Sequence, residues 1–267
     1  MSNLGSPAAL VTGASSGIGE VLAKALAARG YRLLLASENG PELERVRGEI
    51  AASFAVEVKA LVEDLAEPGA AERLFRRCRK LAWPVEVLVN CAGVFLNAER
   101  ELAEPASTER LLALHVQAPT RLCLRFGTQM IERRRGFILN VASISALFPD
   151  PSSLTYGPSK RYLLALSQSL RLSWREHGVR VCCLVPGGIR TAFFAHNDIY
   201  LPGMVAGHLY PPEKCARRAL RAMFRGRGRI TPGLLAHLNV PLFRFLLTPA
   251  FYGWAKRLYF RLRTRDS

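Results

Sequence analysis

Short apolar runs alternate with helical stretches along most of the chain, which predicts an α/β fold: one doubly wound parallel sheet of about seven strands, helices on both faces, in a single domain. Two stretches carry this prediction. The run Ala8-Ala9-Leu10-Val11-Thr12 opens into the glycine-rich turn Gly13-Ala14-Ser15-Ser16-Gly17-Ile18-Gly19, and helical periodicity follows over 18–29 until Gly30 stops it. Gly136-Phe137-Ile138-Leu139-Asn140-Val141-Ala142-Ser143 reads as a buried strand that delivers Ser143 at its C-terminal end, the end where open α/β sheets bind ligands.

The remaining elements follow in order. Residues 31–36 give a second strand and 41–54 a second helix, with Pro41 in its first turn. Residues 56–62 alternate as a third strand ending at Glu63-Asp64-Leu65, where Asp64 also suits a helix N-cap. Val85-Glu86-Val87-Leu88-Val89 is the fourth strand, running into Asn90-Cys91-Ala92-Gly93. A long amphipathic helix spans 108–132, interrupted by Pro119. After the Ser143 strand, residues 144–151 form a loop in which Leu147 and Phe148 are candidate substrate contacts. A helix runs over 156–177 to Gly178, with Pro158 tolerated in its first turn. Residues 179–185 form another strand, 211–225 a last helix and 229–231 a short last strand.

Tyr156 and Lys160 are four residues apart, so one helix face presents both. A phenol ionises near pH ~10, and an adjacent ammonium favours its phenolate, which suits the tyrosine to acid–base work nearer neutrality. The hydroxyl of Ser143 is placed to hold the oxygen that gains or loses the proton. Spacing alone does not define such a site, since Tyr252 and Lys256 repeat it. That second pair lacks a strand-borne serine and sits in basic amphipathic surroundings, so it is expected to be catalytically silent.

Five pieces in the right order, the 12–19 turn, Asn90-Cys91-Ala92-Gly93, Ser143, Tyr156-Gly157-Pro158-Ser159-Lys160 and Pro186-Gly187-Gly188-Ile189-Arg190-Thr191, resemble the short-chain dehydrogenase/reductase family over roughly residues 6–231. The resemblance implies a Rossmann-type sheet and an NAD(P)-dependent oxidoreductase interconverting a secondary alcohol and a ketone, with a hydrophobic substrate. A 3-oxoacyl-thioester reductase and a non-catalytic dinucleotide sensor or scaffold are the alternatives. It implies catalytic roles for Ser143, Tyr156 and Lys160, and contact with the cofactor for Gly13, Ser15, Ser16, Gly17, Ile18, Gly19, Ser37, Asp64, Leu65, Asn90, Ala92, Gly93, Tyr156, Lys160, Pro186, Gly187, Ile189 and Thr191. It also makes 193–210 the mobile segment over the substrate, and the two long helices the faces of a homodimer or homotetramer. One position departs: His115 stands where the family usually has an asparagine that bends the helix and leads a water chain to the lysine. An imidazole can bond both water and a carbonyl, so His115 is a candidate substitute relay. At the tip of the second strand the NAD-selecting acid is replaced by Ala36. Ser37 follows in place of the arginine common in NADP users, and Glu38 lies beside it. The balance is a modest preference for NADP(H) over NAD(H).

The formal charge is +16, from 37 Lys+Arg against 21 Asp+Glu, which favours anionic partners. No nucleic-acid-binding module is recognisable, so no nucleic acid is expected. The six cysteines show no metal-ligand spacing and sit in apolar patterns, consistent with a reducing compartment and no metal. The N-terminus lacks the pattern of a signal peptide, so a cytoplasmic location is expected. Residues 232–267 form an extension beside the 1–231 domain. Aromatic and aliphatic residues there, among them Phe243, Phe251 and Trp254, are interleaved with Arg244, Lys256 and Arg257 and divided by Pro241 and Pro249. That composition suits short amphipathic helices covering the substrate mouth or touching an anionic membrane's inner face.

Overall fold

The computed structural model describes residues 6–150, 152–191, 193 and 209–233. A seven-stranded, all-parallel sheet forms the centre, in the order β3-β2-β1-β4-β5-β6-β7. The strands are β1 Ala8–Thr12, β2 Arg32–Ser37, β3 Val58–Val62, β4 Val85–Asn90, β5 Gly136–Val141, β6 Val179–Leu184 and β7 Arg229–Ile230. The order reverses between β1 and β4, which opens the crevice used by ligands in such sheets.

Strand alternation divides the core in two. Val11, Leu33, Leu35, Val89 and Leu184 face one layer, built with α1 (Gly17–Ala27) and α2 (Gly40–Ser53). Leu10, Leu34, Leu88, Ile138 and Val181 face the other, with α3 (Ala70–Lys80) and α6 (Ala118–Glu132). Each fully buried leucine contributes roughly 1.5–3 kcal/mol by leaving water. The six cysteines are free, five buried and Cys91 half-buried, in keeping with their reading as core residues.

The long helix differs from its sequence reading. It is three pieces: α5 (Pro105–Leu112), a π-helical turn Ala113–Gln117, and α6. The break falls at His115, and Pro119 follows directly, where it can give no N–H to the helical ladder. Between β4 and α5 a short α4 spans Ala98–Ala103. Helix α7 is Tyr156–Trp174, continued by a 3₁₀ turn Arg175–His177 and closed at Gly178 with φ +77°. The last helix, α8, is Pro212–Phe224. All of the 232–267 extension beyond residue 233, and most of 193–210, lie outside the described residues. Among the described residues no helix is long and apolar enough to cross a membrane, and no cluster of metal ligands is present.

Candidate active site

The C-terminal ends of β1, β2, β4, β5 and β6 open onto one cleft of about 1260 Å³, above the ~300–1,000 Å³ usual for a small-ligand pocket. Its floor is the glycine-rich turn. Gly13 and Gly17 have φ +64° and +58°, a region where a side chain is strained. A Cβ on Gly19 would lie 2.0 Å from the carbonyl oxygen of Gly13, and one on Gly13 would lie 2.8 Å from the Ala92 backbone. The turn is therefore pressed against β4's exit, and Thr12 fastens it there. Its Oγ1 accepts from the N–H groups of Cys91 (3.0 Å) and Ala92 (3.2 Å). Ser16, at the start of α1, makes no capping bond, which leaves the first amides of α1 for an anion. This cradle fits the pyrophosphate of a dinucleotide. Gly19→Ala is expected to weaken NADPH binding by about a hundredfold or more, read by fluorescence titration.

Of the residues expected at the cofactor, all but one line this cleft. Asn90 does not. As the last residue of β4 its side chain points below the sheet, where Nδ2 donates to Asn140 Oδ1 (2.8 Å) and Cys123 Sγ (3.3 Å). Asn140 in turn donates to Ser167 of α7 (2.9 Å), so Asn90 belongs to a buried network joining β4, β5 and α7. Asp64 is not a helix N-cap, since α3 starts at Ala70. Its Oδ1 accepts from Ala66 N (2.8 Å) and its Oδ2 pairs with Arg110 of α5 at 2.6 Å.

Ser143, Tyr156 and Lys160 converge at the centre of the cleft. Tyr156 opens α7, and the Lys160 ammonium lies 5.6 Å from the centre of its ring. Burial pushes the Tyr156 phenol up to about 12, further raised by the charges of Asp150 and Cys91, while a hydrogen bond from Ser143 works the other way. Burial pushes Lys160 down to about 8. Burial of the phenol thus works against the lowering that the Tyr156–Lys160 spacing suggests.

His115 is buried and lies behind the cleft wall rather than in it. Its Nε2 accepts from Val94 N–H at 3.1 Å, so Nδ1 carries the proton and donates to Ser159 Oγ at 3.0 Å. Ser159 Oγ donates to the carbonyl of Tyr156 at 2.8 Å, and the two rings meet edge to face at 5.7 Å. Burial holds the imidazole well below its ordinary pKa, hence neutral. With both nitrogens bonded to protein, the ring acts as a strut behind Tyr156. The strut needs Gly93, where a Cβ would lie 2.9 Å from His115 Nε2 and 3.1 Å from Lys160 Nζ. Gly93→Ala is expected to reduce turnover about tenfold by displacing both groups, measured as kcat at saturating cofactor.

A second support carries no sequence signal. Glu101 of α4 is only 6% exposed, and its carboxylate sits at the start of α7. It accepts from Ser153 Oγ (3.0 Å), Leu154 N (2.5 Å), Thr155 N (3.1 Å) and Thr155 Oγ1 (2.5 Å). Ser153 Oγ also accepts from Tyr156 N at 3.1 Å. The charge thus meets the positive end of the helix that begins with Tyr156. On the substrate side, Leu147 and Phe148 do not line the cleft. Ile144, Ser145, Asp150 and Ser152 do, opposite Phe95, Leu96 and Phe193, because Leu147 turns into a small buried cluster with Ala146 and Leu164.

A family model described as short chain dehydrogenase matches residues 7–198. An uncharacterized oxidoreductase of Myxococcus xanthus is 30% identical over 254 residues, covering 94% of this chain and 96% of that protein. A very-long-chain 3-oxoacyl-CoA reductase of Phaeosphaeria nodorum is 33% identical over 190 residues, 69% of this chain, which spans 55% of that relative's length. Among solved structures, a short-chain dehydrogenase from Sphingobium yanoikuyae in complex with NADPH superposes with a TM-score of 0.78 at 26% identity, covering 97% of this chain and 95% of that one.

Proposed function

The chain belongs to the short-chain dehydrogenase family, and from that premise we propose that it is the NAD(P)-dependent reductase of a hydrophobic ketone, interconverting it with a secondary alcohol. The observation that carries this reading is the convergence of Ser143, Tyr156 and Lys160 beside the glycine cradle. Bound nicotinamide supplies or accepts the hydride. Ser143 holds the substrate oxygen, Tyr156 gives it a proton, and Lys160 holds the ribose. His115 and Glu101 fix Tyr156 from behind and from below its helix. With its phenol near 12, Tyr156 is fully protonated at neutrality and suited to donating to a carbonyl oxygen. Burial lowers Lys160 to about 8, so the reduction rate is expected to be flat from pH ~6 to ~7, to reach about half near pH 8 and to fall further above it. A pH–rate profile that rises through pH 8 in the reductive direction would contradict this assignment.

For the cofactor we infer a modest preference for NADP(H). Ser15 and Ser37 hydroxyls meet at 2.8 Å in the cleft wall, and Arg45 of α2 lines the same wall, its Nη2 3.5 Å from Ser15 O. Arg45 supplies the cation that Ser37 lacks, but it is shared with Glu20 (3.2 Å), Glu42 (2.8 Å) and Glu49 (2.6 Å). Exposed Glu38 adds a further negative charge to that wall. NADPH is therefore expected to bind about threefold tighter than NADH, ~0.7 kcal/mol, and Arg45→Ala to remove the difference. Titration of both reduced cofactors at fixed ionic strength reads this directly. A second reading, reduction of 3-oxoacyl thioesters, is favoured by Arg100 and Arg190 in the cleft wall, which suit the phosphates of a carrier, and by the name of the Phaeosphaeria relative. A panel of ketones and 3-oxoacyl thioesters of graded length, run with both cofactors, separates the two. Exposed Leu124 of α6 and Tyr162 of α7 support pairing of copies through these helices.

A further inference from the structure

Helix α8 sets its charges on one side. Cys215, Ala216, Ala219, Leu220, Ala222 and Met223 are buried against the core. Lys214, Arg217, Arg218 and Arg221 are exposed at spacings of three, one and three residues, and Arg225 continues the stripe at the C-cap. Arg227 and Arg229, in the turn and strand that follow, are exposed as well. Like charges at i and i+4, such as Arg217 and Arg221, repel one another along a helix.

The protein relieves such repulsion elsewhere. On α1 and α2, Lys24 pairs with Glu20 at 2.6 Å, Arg45 with Glu42 and Glu49, and Arg47 with Glu44. No cation of the α8 stripe has a carboxylate partner among the described residues, although Glu213 lies on the same helix. Nor do these side chains close the end of the helix. That is done by Arg180, which donates to Phe224 O, and Arg171, which donates to Gly226 O at 3.3 Å. From Lys214 to Arg225 the stripe is a rigid row of cations, about 16 Å long at ~1.5 Å per residue, with no internal use.

We propose that the outer face of α8 is a docking surface for an anionic lipid bilayer. A straight row of unpaired cations on a helix held flat by its buried side matches a plane of negative headgroups. Further along the chain, past β7, the sequence interleaves Phe243, Phe251, Trp254 and Tyr259 with Arg244, Lys256 and Arg257. Aromatic residues among cations are the composition of an interfacial segment, which favours lipid over nucleic acid. Pro212, at the start of α8, lines the cleft, so docking would hold the cleft near the bilayer from which an apolar substrate partitions. The surface stands independently of the catalytic reading.

The test is co-sedimentation of the full chain with vesicles of phosphatidylcholine alone or with about one part in three phosphatidylserine. Triple reversal Arg217→Glu, Arg218→Glu, Arg221→Glu is compared with a control of equal charge change, Arg79→Glu, Lys80→Glu, Arg121→Glu, also at exposed positions. Circular dichroism and melting confirm that both are folded. Expected are binding to the anionic vesicles only, loss of about tenfold or more in partition for the α8 variant, about twofold or less for the control, and weakening by salt. Absence of binding by the parent, equal losses in the two variants, or retention by the α8 variant overturns the proposal. So does tighter binding to duplex DNA than to vesicles at matched anionic charge, which would make the face a nucleic-acid surface.

Discussion

Tyr156→Phe is expected to lower turnover by about three orders of magnitude, within the ~10²–10⁴ range of a positioned general acid, while leaving NADPH affinity within about twofold. The substitution removes one oxygen. The ring stays, with its edge-to-face contacts to Phe95 at 5.2 Å and His115 at 5.7 Å, so α7 and the Lys160 stem keep their packing. What disappears is the proton donor, together with the bond from Ser143. Steady-state kinetics with cofactor saturating, beside a direct binding titration, separates the two effects. Tyr252→Phe should retain full turnover. More than about a tenth of parental activity in Tyr156→Phe, or equal losses in the two variants, would remove Tyr156 from the reaction.

Residues that speak through local pattern were legible in the sequence. Apolar runs marked the seven strands along the chain, and the glycines announced the cradle, Gly13 and Gly17 through their positive φ and Gly19 through its contact with Gly13. Ser143, Tyr156 and Lys160 were placed by a strand end and a helical repeat. Arginines obscured α3, whose buried stripe is Ala70, Ala71, Leu74, Phe75 and Cys78, and α4 is too short for periodicity. Side-chain direction at a strand terminus was also hidden: the Asn90 side chain faces the core. Pro119 and the family's helix-bending position marked an irregularity near His115, but not the partners of its ring, Val94 N and Ser159 Oγ, 21 and 44 residues away. Burial likewise shifts Tyr156 up and Lys160 down, and no spacing rule reports burial.

Glu101 is the extreme case of a site residue that only the fold reveals, since its partners lie 52 to 54 residues on. Replacing it with methionine keeps the volume and removes the acceptor of four donors, two of them the backbone amides of Leu154 and Thr155. A buried donor left unsatisfied costs ~1–3 kcal/mol. Allowing some rescue by water, Glu101→Met should lose about 3 kcal/mol of stability by urea denaturation. Because the same bonds set the first turn of α7, kcat should fall about 10- to 100-fold as the phenol leaves its line with Ser143. The glycine cradle is built on β1 and α1, so NADPH affinity should change little. Glu101→Gln retains one strong acceptor and should fall between parent and methionine in both measures, which keeps the test open if the methionine variant does not fold. A folded Glu101→Met enzyme with turnover within about twofold of the parent would show that Tyr156 is held by its own helix and rings alone. A drop in NADPH affinity matching the drop in kcat would show that α4 braces the whole cleft and not the tyrosine in particular.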